Sequence, residues 1–266
     1  MGRNPCTDDV VYWHVSAVRL DRLFNTTRGA YTDKMNEIVH SLSPVTDRRA
    51  SRTPRTHDKE LTRTNDPART TAEILEVATQ EFAAKGLAGA RIDEIAAATR
   101  TSKRMIYYYF GSKDGLYLAV LEDAYRRMRA IEADLHLDDL PPVAAMRRLV
   151  GFTYDHHRDN EDFIRLVMSE NVQQGNYLRS SPRIHELNVT AISALERLLS
   201  RGMAQGVFRQ DLQALDIHSF ISALCFFNVS NKHTFGLIFQ TQDKDGKASI
   251  LQRDQVIDAI LRFVAP

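Results

Sequence analysis

The chain has few cysteines, almost no net charge and no long apolar run, and each shortage excludes a class of protein. Only Cys6 and Cys225 occur among 266 residues. Two cysteines so far apart make neither a disulfide framework nor a cysteine-based zinc site. Such sparing use fits a reducing cytoplasm. Lys and Arg number 35 against 34 Asp and Glu, a formal charge of +1. No global field draws the chain onto nucleic acid or membrane, so a nucleic-acid site must arise from local clustering. No apolar stretch approaches the roughly 20 residues that span a bilayer. The opening MGRNPCTDDVVYWHV has acids where a signal peptide needs a basic and then an apolar region. The expected location is cytoplasmic, with no membrane partner.

Enzymatic fingerprints are also missing. There is no GxSxG, P-loop or dinucleotide-binding glycine pattern. His156 and His157 are adjacent and point in different directions on a helix, and His185, His218 and His233 lack the two-histidine spacing of zinc helices. No catalytic residue, metal or cofactor is expected.

Residues 1–65 differ in composition from the rest. The stretch 41–65 is rich in Arg, Thr, Ser and Pro, with Arg48, Arg49, Arg52, Arg55, Lys59 and Arg63 outnumbering its acids. It has too little apolar surface to offset its ordering entropy, and reads as a flexible basic arm that could follow phosphates or a minor groove. An alternative is translation from Met35, which would leave the earlier residues out of the protein.

From Asp66 onward the pattern is helical. Asp66-Pro67 is a helix start, and Ile74, Leu75, Ala78 and Phe82 recur at helical spacing. Gly86 ends that helix, near 68–85. Short helices are predicted at 92–98 and 102–109, and a long one begins after Ser112. Pro141-Pro142 opens another, and more follow near 161–171, 183–205, 214–231 and 253–264. There is no alternating strand pattern and no internal repeat. The fold class is all-α.

The stretch TSKRMIYYYFGSKDGLY, residues 101–117, holds the functional signal. A helix, a short helix, a tight turn and a second short helix form a helix-turn-helix within a three-helix unit. Ile95 and Ala96 are expected to face the third helix, with Ala97 and Ala98 also permitting close crossing. Between Arg100 and Lys113 stand four basic residues and no acid, a local footprint for phosphate. Neighbours on a helix point about 100° apart, so the three tyrosines divide. Tyr109 goes to the core with Phe110. Tyr107 and Tyr108 go to the DNA side, where a phenol can donate to phosphate or pack on a sugar or thymine methyl.

The run RIDEIAAATRTSKRMIYYYFGSKDGLYLAVLE resembles the DNA-binding domain of the TetR/AcrR family of bacterial transcriptional regulators. Ile95-Ala96, Ser102, Tyr107, Phe110, Ser112-Lys113 and Leu116 carry the match, over roughly 68–125. Arg100 and Arg104 stand where the family often has Gly, and Ala90 where it usually has Thr. The resemblance implies a DNA-binding domain over 66–112 and a helical ligand-binding and dimerisation domain over 113–266. It implies a homodimer that reads a palindromic double-stranded operator. Thr71, Arg91 and Lys113 become phosphate candidates, Arg104 a guanine-reading candidate, and Thr101, Ser102 and Lys103 further DNA-binding candidates.

In the C-terminal half, polar groups interrupt apolar helices as they do in a pocket wall. Phe163, Met168, Asn171, Gln174, Tyr177, Phe226, Ser230 and His233 are the ligand-binding candidates. Leu224, Phe227, Ile257, Ile260 and Leu261 are the dimer-interface candidates. SENVQQGNYLRSSPRIHELN and SALCFFNVSNKHTF look like the branch of the family that includes regulators of pyrimidine and nicotinate catabolism. That likeness implies a small N-heteroaromatic or carboxylated effector. The alternatives are a regulator without a ligand and a helical enzyme.

Overall fold

The computed structural model describes residues 66–240 and 250–266. The predicted N-terminal extension with its basic arm, and most of the polar loop after Gln240, lie outside the described residues. Ten α-helices and no strand occur among those described: α1 (Pro67–Gly89), α2 (Ile92–Ala98), α3 (Lys103–Phe110), α4 (Lys113–Ala133), α5 (Pro142–Asp159), α6 (Glu161–Val172), α7 (Pro182–Ala204), α8 (Ala214–Ser230), α9 (Lys232–Ile238) and α10 (Arg253–Val264). The all-α reading holds. Helix α9 was not expected as a separate helix, because it follows α8 after the single residue Asn231 and has no side-chain cap to mark its start.

The starts follow from side-chain caps. The Asp66 carboxylate accepts from the amides of Ala68 and Arg69, at 3.0 and 3.3 Å, and Pro67 fills a first-turn position whose amide would lack a partner. Ser102 Oγ accepts from Met105 N at 3.2 Å, and Ser112 Oγ from Gly115 N at 2.9 Å. Each such cap contributes about 1 kcal/mol. Gly86, at φ 65°, breaks the regular geometry of α1 three residues before its end.

Two large apolar cores, and a small third cluster of Met128, Phe163 and Ile164, organise the packing of the described residues. The first joins α1 to α4: Ile74, Ala78 and Phe82 meet Ile95, Ile106, Leu116, Tyr117 and Val120, with Leu166 and Ile184 closing it from α6 and α7. Phe82 and Tyr117 meet edge to face at 5.1 Å. Burying side chains of this size stabilises by roughly 1.5–3 kcal/mol each. The second core lies among α5, α7, α8 and α10. Gly202 is required there by close approach: a Cβ would lie 1.9 Å from the Phe208 ring.

Two expectations are corrected. Ala96 is buried against α3, but Ala97 and Ala98 face solvent, because only every third or fourth residue of a seven-residue helix can face the core. Ile257 and Ile260 do not face outward. They are buried within the second core, so they hold α10 to the chain's own helices and cannot contact a partner.

Candidate nucleic-acid interface and interior cavity

The turn between α2 and α3 sets the reading helix. Thr101 N bonds Ala96 O at 3.1 Å and Arg100 N bonds Ala97 O at 3.3 Å. This is the pair of bonds that closes a helix on a left-handed residue. Arg100 takes that conformation, with φ 52°, a position where glycine would carry no Cβ penalty. Buried Thr99 donates to Ile95 O at 2.8 Å and ties the turn down. The turn keeps its geometry with arginine in place.

Helix α3 buries Ile106 and half-buries Tyr109 and Phe110, at helical spacing. Lys103, Arg104, Tyr107 and Tyr108 fall on the opposite side. Tyr107 is 44% exposed and Tyr108 77%, so these two face outward while Tyr109 turns partly inward. Arg104 is exposed and makes no ion pair among the described residues. Lys103 does pair, with Asp93 of α2. The count of four cations and no acid along residues 100–113 therefore overstates the free charge, because an acid reaches in from the neighbouring helix.

The other candidates lie around this strip. Ser102 caps α3, and Thr101 beside it is half-buried. Thr71, in the first turns of α1, returns its hydroxyl to Pro67 O at 2.7 Å. Exposed Arg91 precedes α2, with its guanidinium 4.0 Å from Asp93. Lys113 Nζ lies 3.4 Å from Ala88 O.

The ligand candidates separate. Phe163 and Phe226 line an interior cavity of about 190 Å³ between α4, α5, α6, α7 and α8. Met168, Asn171, Gln174 and His233 face solvent and are removed from any enclosed site. Tyr177 packs on Tyr117 at 5.1 Å, in the first core. Ser230 lies at the end of α8 and accepts from Asn231 Nδ2 at 2.8 Å. Alternating polar and apolar residues near a helix end mark exposure as readily as a pocket, and these residues do not converge on the cavity. Two further polar residues are structural. Glu170 is buried and accepts from the amides of Tyr177 and Leu178, both at 3.1 Å. Asn228 holds Leu251 through both its amide atoms, at 2.7 and 2.8 Å.

Other side chains furnish the cavity. Arg129 of α4 donates from Nε and Nη2 to Asn188 Oδ1 of α7, at 3.2 and 2.8 Å, and from Nη1 to Glu132. The Arg129 and Glu132 side chains are only 10% and 13% exposed. Asn188 is held by its own bond to Ile184 O at 2.7 Å. Thr153 and His157 of α5 and His218 and Ser222 of α8 complete the polar lining. His157 is 5% exposed, with the Thr153 backbone beside its ring one helical turn earlier. Burial, and then His156, push its pKa down to about 4, with the Thr153 backbone opposing. Burial also lowers His218. A signal for these residues exists in the sequence: Tyr125, Arg129 and Glu132, Thr153 and His157, and His218 and Ser222 each recur on one face of a helix.

Arg129 and Glu132 also border a second space, of about 510 Å³, between α4 and α7. The adjacent histidines His156 and His157 are both buried against Phe163, at 5.5 and 6.0 Å. No cluster of three or more potential metal ligands occurs among the described residues. No described helix is long and apolar enough to cross a membrane.

On the outer side of α8 and α10, Phe220 and Phe263 meet at 4.7 Å and Arg209 stacks on Phe263 at 4.2 Å. Phe227 is exposed on α8, and Leu224 and Leu261 are half-buried.

Comparison with known proteins agrees with this arrangement. Residues 74–120 match the model for bacterial regulatory proteins of the tetR family. Residues 142–260 match a tetracyclin repressor-like C-terminal domain. The HTH-type transcriptional repressor NicS of Pseudomonas putida is 37% identical over 185 residues, 69% of this chain and 87% of that protein. The HTH-type transcriptional repressor SCO4008 of Streptomyces coelicolor is 39% identical over 110 residues, 41% of this chain and 54% of that protein. The crystal structure of SCO4942 from Streptomyces coelicolor superposes with a TM-score of 0.57 at 25% identity, covering 74% of this chain and 99% of the other. A helix-turn-helix with an exposed basic and aromatic strip, followed by a helical body with matching family models in both parts, gives one conclusion: the chain belongs to the TetR family of bacterial regulatory proteins.

Proposed function

We propose that this regulator is a homodimeric repressor that binds an inverted-repeat operator and is released by a small molecule held among its C-terminal helices. Residues 66–112 form the DNA-reading part and 113–266 the sensing and dimerising part. The observation that carries the reading is the outer strip of α3, where Arg104, with no ion pair among the described residues, stands exposed with Tyr107 and Tyr108. A free guanidinium can bond guanine O6 and N7 together, and the phenols can fix the backbone. Dimerisation uses the outer face of α8 and α10, where Phe220, Phe227 and Phe263 are exposed. Two copies place two α3 helices in successive major grooves.

The ligand acts by population shift. Helix α4 starts beside the reading unit at Lys113 and carries Arg129 at the cavity wall. A molecule that binds better when α4 is displaced from α7 favours the form with the wrong half-site spacing. It shifts the equilibrium only by its difference in affinity for the two forms. The repressor sense is supported by the names of the relatives NicS and SCO4008.

The test is selection of genomic fragments with purified protein, wild type beside Arg104→Ala. The expected result is one inverted-repeat site, bound about 1–3 kcal/mol more weakly by the variant and with relaxed preference at one base pair in each half. Equal selection by both proteins would remove Arg104 from base reading. No enriched site, with or without metabolite extract, would sink the operator reading.

A further inference from the structure

We propose that the interior cavity binds an uncharged, flat, single-ring molecule with hydrogen-bonding groups on its edge, and rejects anions and cations of the same shape. This deepens the effector reading above and rests on it. Size comes first. A space of about 190 Å³ corresponds to roughly six water molecules and is below the range of drug-sized pockets. Shape follows from the walls. The rings of Tyr125, Phe163 and Phe226 border the space, and the first two meet edge to face at 5.3 Å. A planar ring finds offset or edge partners there.

Charge decides the class. The lining contains one cation, Arg129, and one anion, Glu132. They are bonded to each other, and Asn188 takes two more of the guanidinium hydrogens. An anionic ligand would add an unmatched negative charge to a space walled mainly by buried side chains, and a cationic ligand an unmatched positive one. A neutral ring avoids both costs. It also meets groups suited to it: the His157 ring at the wall and the His218–Ser222 pair at 3.5 Å. A neutral imidazole offers one donor and one acceptor. The lowered pKa values of both histidines keep them uncharged near neutral pH.

The probes are benzamide, benzoate and benzamidine, which share a ring and a planar substituent and carry no charge, a negative charge and a positive charge. Their affinities are measured at neutral pH by calorimetry on the full chain. Benzamide is expected to bind about tenfold more tightly than either ion. Glu132→Gln leaves Arg129 unmatched and should put benzoate first. Arg129→Gln leaves Glu132 unmatched and should put benzamidine first. Melting curves without probe check that each variant is folded. Phe226→Trp, which fills the cavity, should abolish benzamide binding while the protein still melts cooperatively. Tightest binding of benzoate or benzamidine by the wild type, equal binding of all three, or binding of none would overturn the proposal. So would undiminished binding by Phe226→Trp. Operator affinity is read separately by fluorescence anisotropy. Benzamide that enters the cavity and leaves operator affinity unchanged keeps the ligand class and removes the effector reading.

Discussion

Arg104 on α3 and Arg129 on α4 hold the same guanidinium in opposite surroundings. Arg104 is exposed and makes no ion pair among the described residues, while Arg129 is almost wholly buried and bonded to Glu132 and Asn188. The same contrast separates two ion pairs. Lys103–Asp93 has side chains 55% and 47% exposed, against 10% and 13% for Arg129–Glu132. An exposed charge contributes little to stability because water screens it. It remains available to a phosphate or a base. A buried pair is held in place by its neighbours, and losing one member strands the other. The first region is built to be read by a partner, and the second to choose what may enter.

The sharpest way to break this comparison is to cut one member from each pair. Arg129→Met should lower stability by about 3 kcal/mol, because Glu132 is left buried without its cation. Arg129→Met with Glu132→Leu should recover much of that loss. Lys103→Ala should cost no more than about 1 kcal/mol. Urea melts of the three variants decide it. Equal losses for Arg129→Met and Lys103→Ala would show that burial does not distinguish the pairs.

Acid offers a second test of the buried region. His157 is pushed down to about 4 from an ordinary 6.5. In the unfolded chain it takes up a proton near pH 6.5, and in the folded chain only near 4. The unfolded state therefore binds more protons between these values, and stability falls as pH drops through that window. Above 6.5 both states are neutral and the contribution is complete. The loss by pH 4 is roughly 3 kcal/mol. His157→Gln should flatten this part of the profile, leaving the contributions of His156 and His218, whose pKa values burial also lowers. An unchanged pH profile in the variant would remove His157 as the source.

How much could be read without coordinates differs between these regions for a physical reason. Helix α2 spans the predicted residues 92–98, and Tyr107 and Tyr108 face outward while Tyr109 turns in. Those features depend on the acids in the first turn of α2, the Ser102 cap of α3 and the helical period, which are local. The cavity gathers Arg129, His157, Asn188 and His218 from four helices, and no spacing along the chain records that meeting. Ile257 and Ile260 make the same point. Their periodicity reveals an apolar face of α10, but the identity of what covers it, here α5 and α8, is tertiary information.

Asp93 gives the smallest expected effect and the finest test of the exposed region. It sits in the first turn of α2, paired with Lys103 and 4.0 Å from Arg91. Its carboxylate therefore competes with phosphate for two of the cations nearest the reading strip. Removing it as Asp93→Ala should change folding stability by less than about 1 kcal/mol, the usual worth of an exposed pair. It also removes a favourable acid from a helix start, which costs a few tenths to about 1 kcal/mol. On DNA the sign reverses. Lys103 no longer has to leave a partner, so binding should tighten, and the dependence of log affinity on log salt should steepen by about 0.9 for each additional phosphate neutralised. Anisotropy titrations on one operator fragment across a salt series measure this slope. A steeper slope in Asp93→Ala with no change for Arg129→Gln would confirm that the exposed charges face the partner and the buried ones do not. Parallel slopes would mean that Lys103 remains bound to α2 when DNA is present, leaving Arg104 and the helix ends as the source of electrostatic attraction.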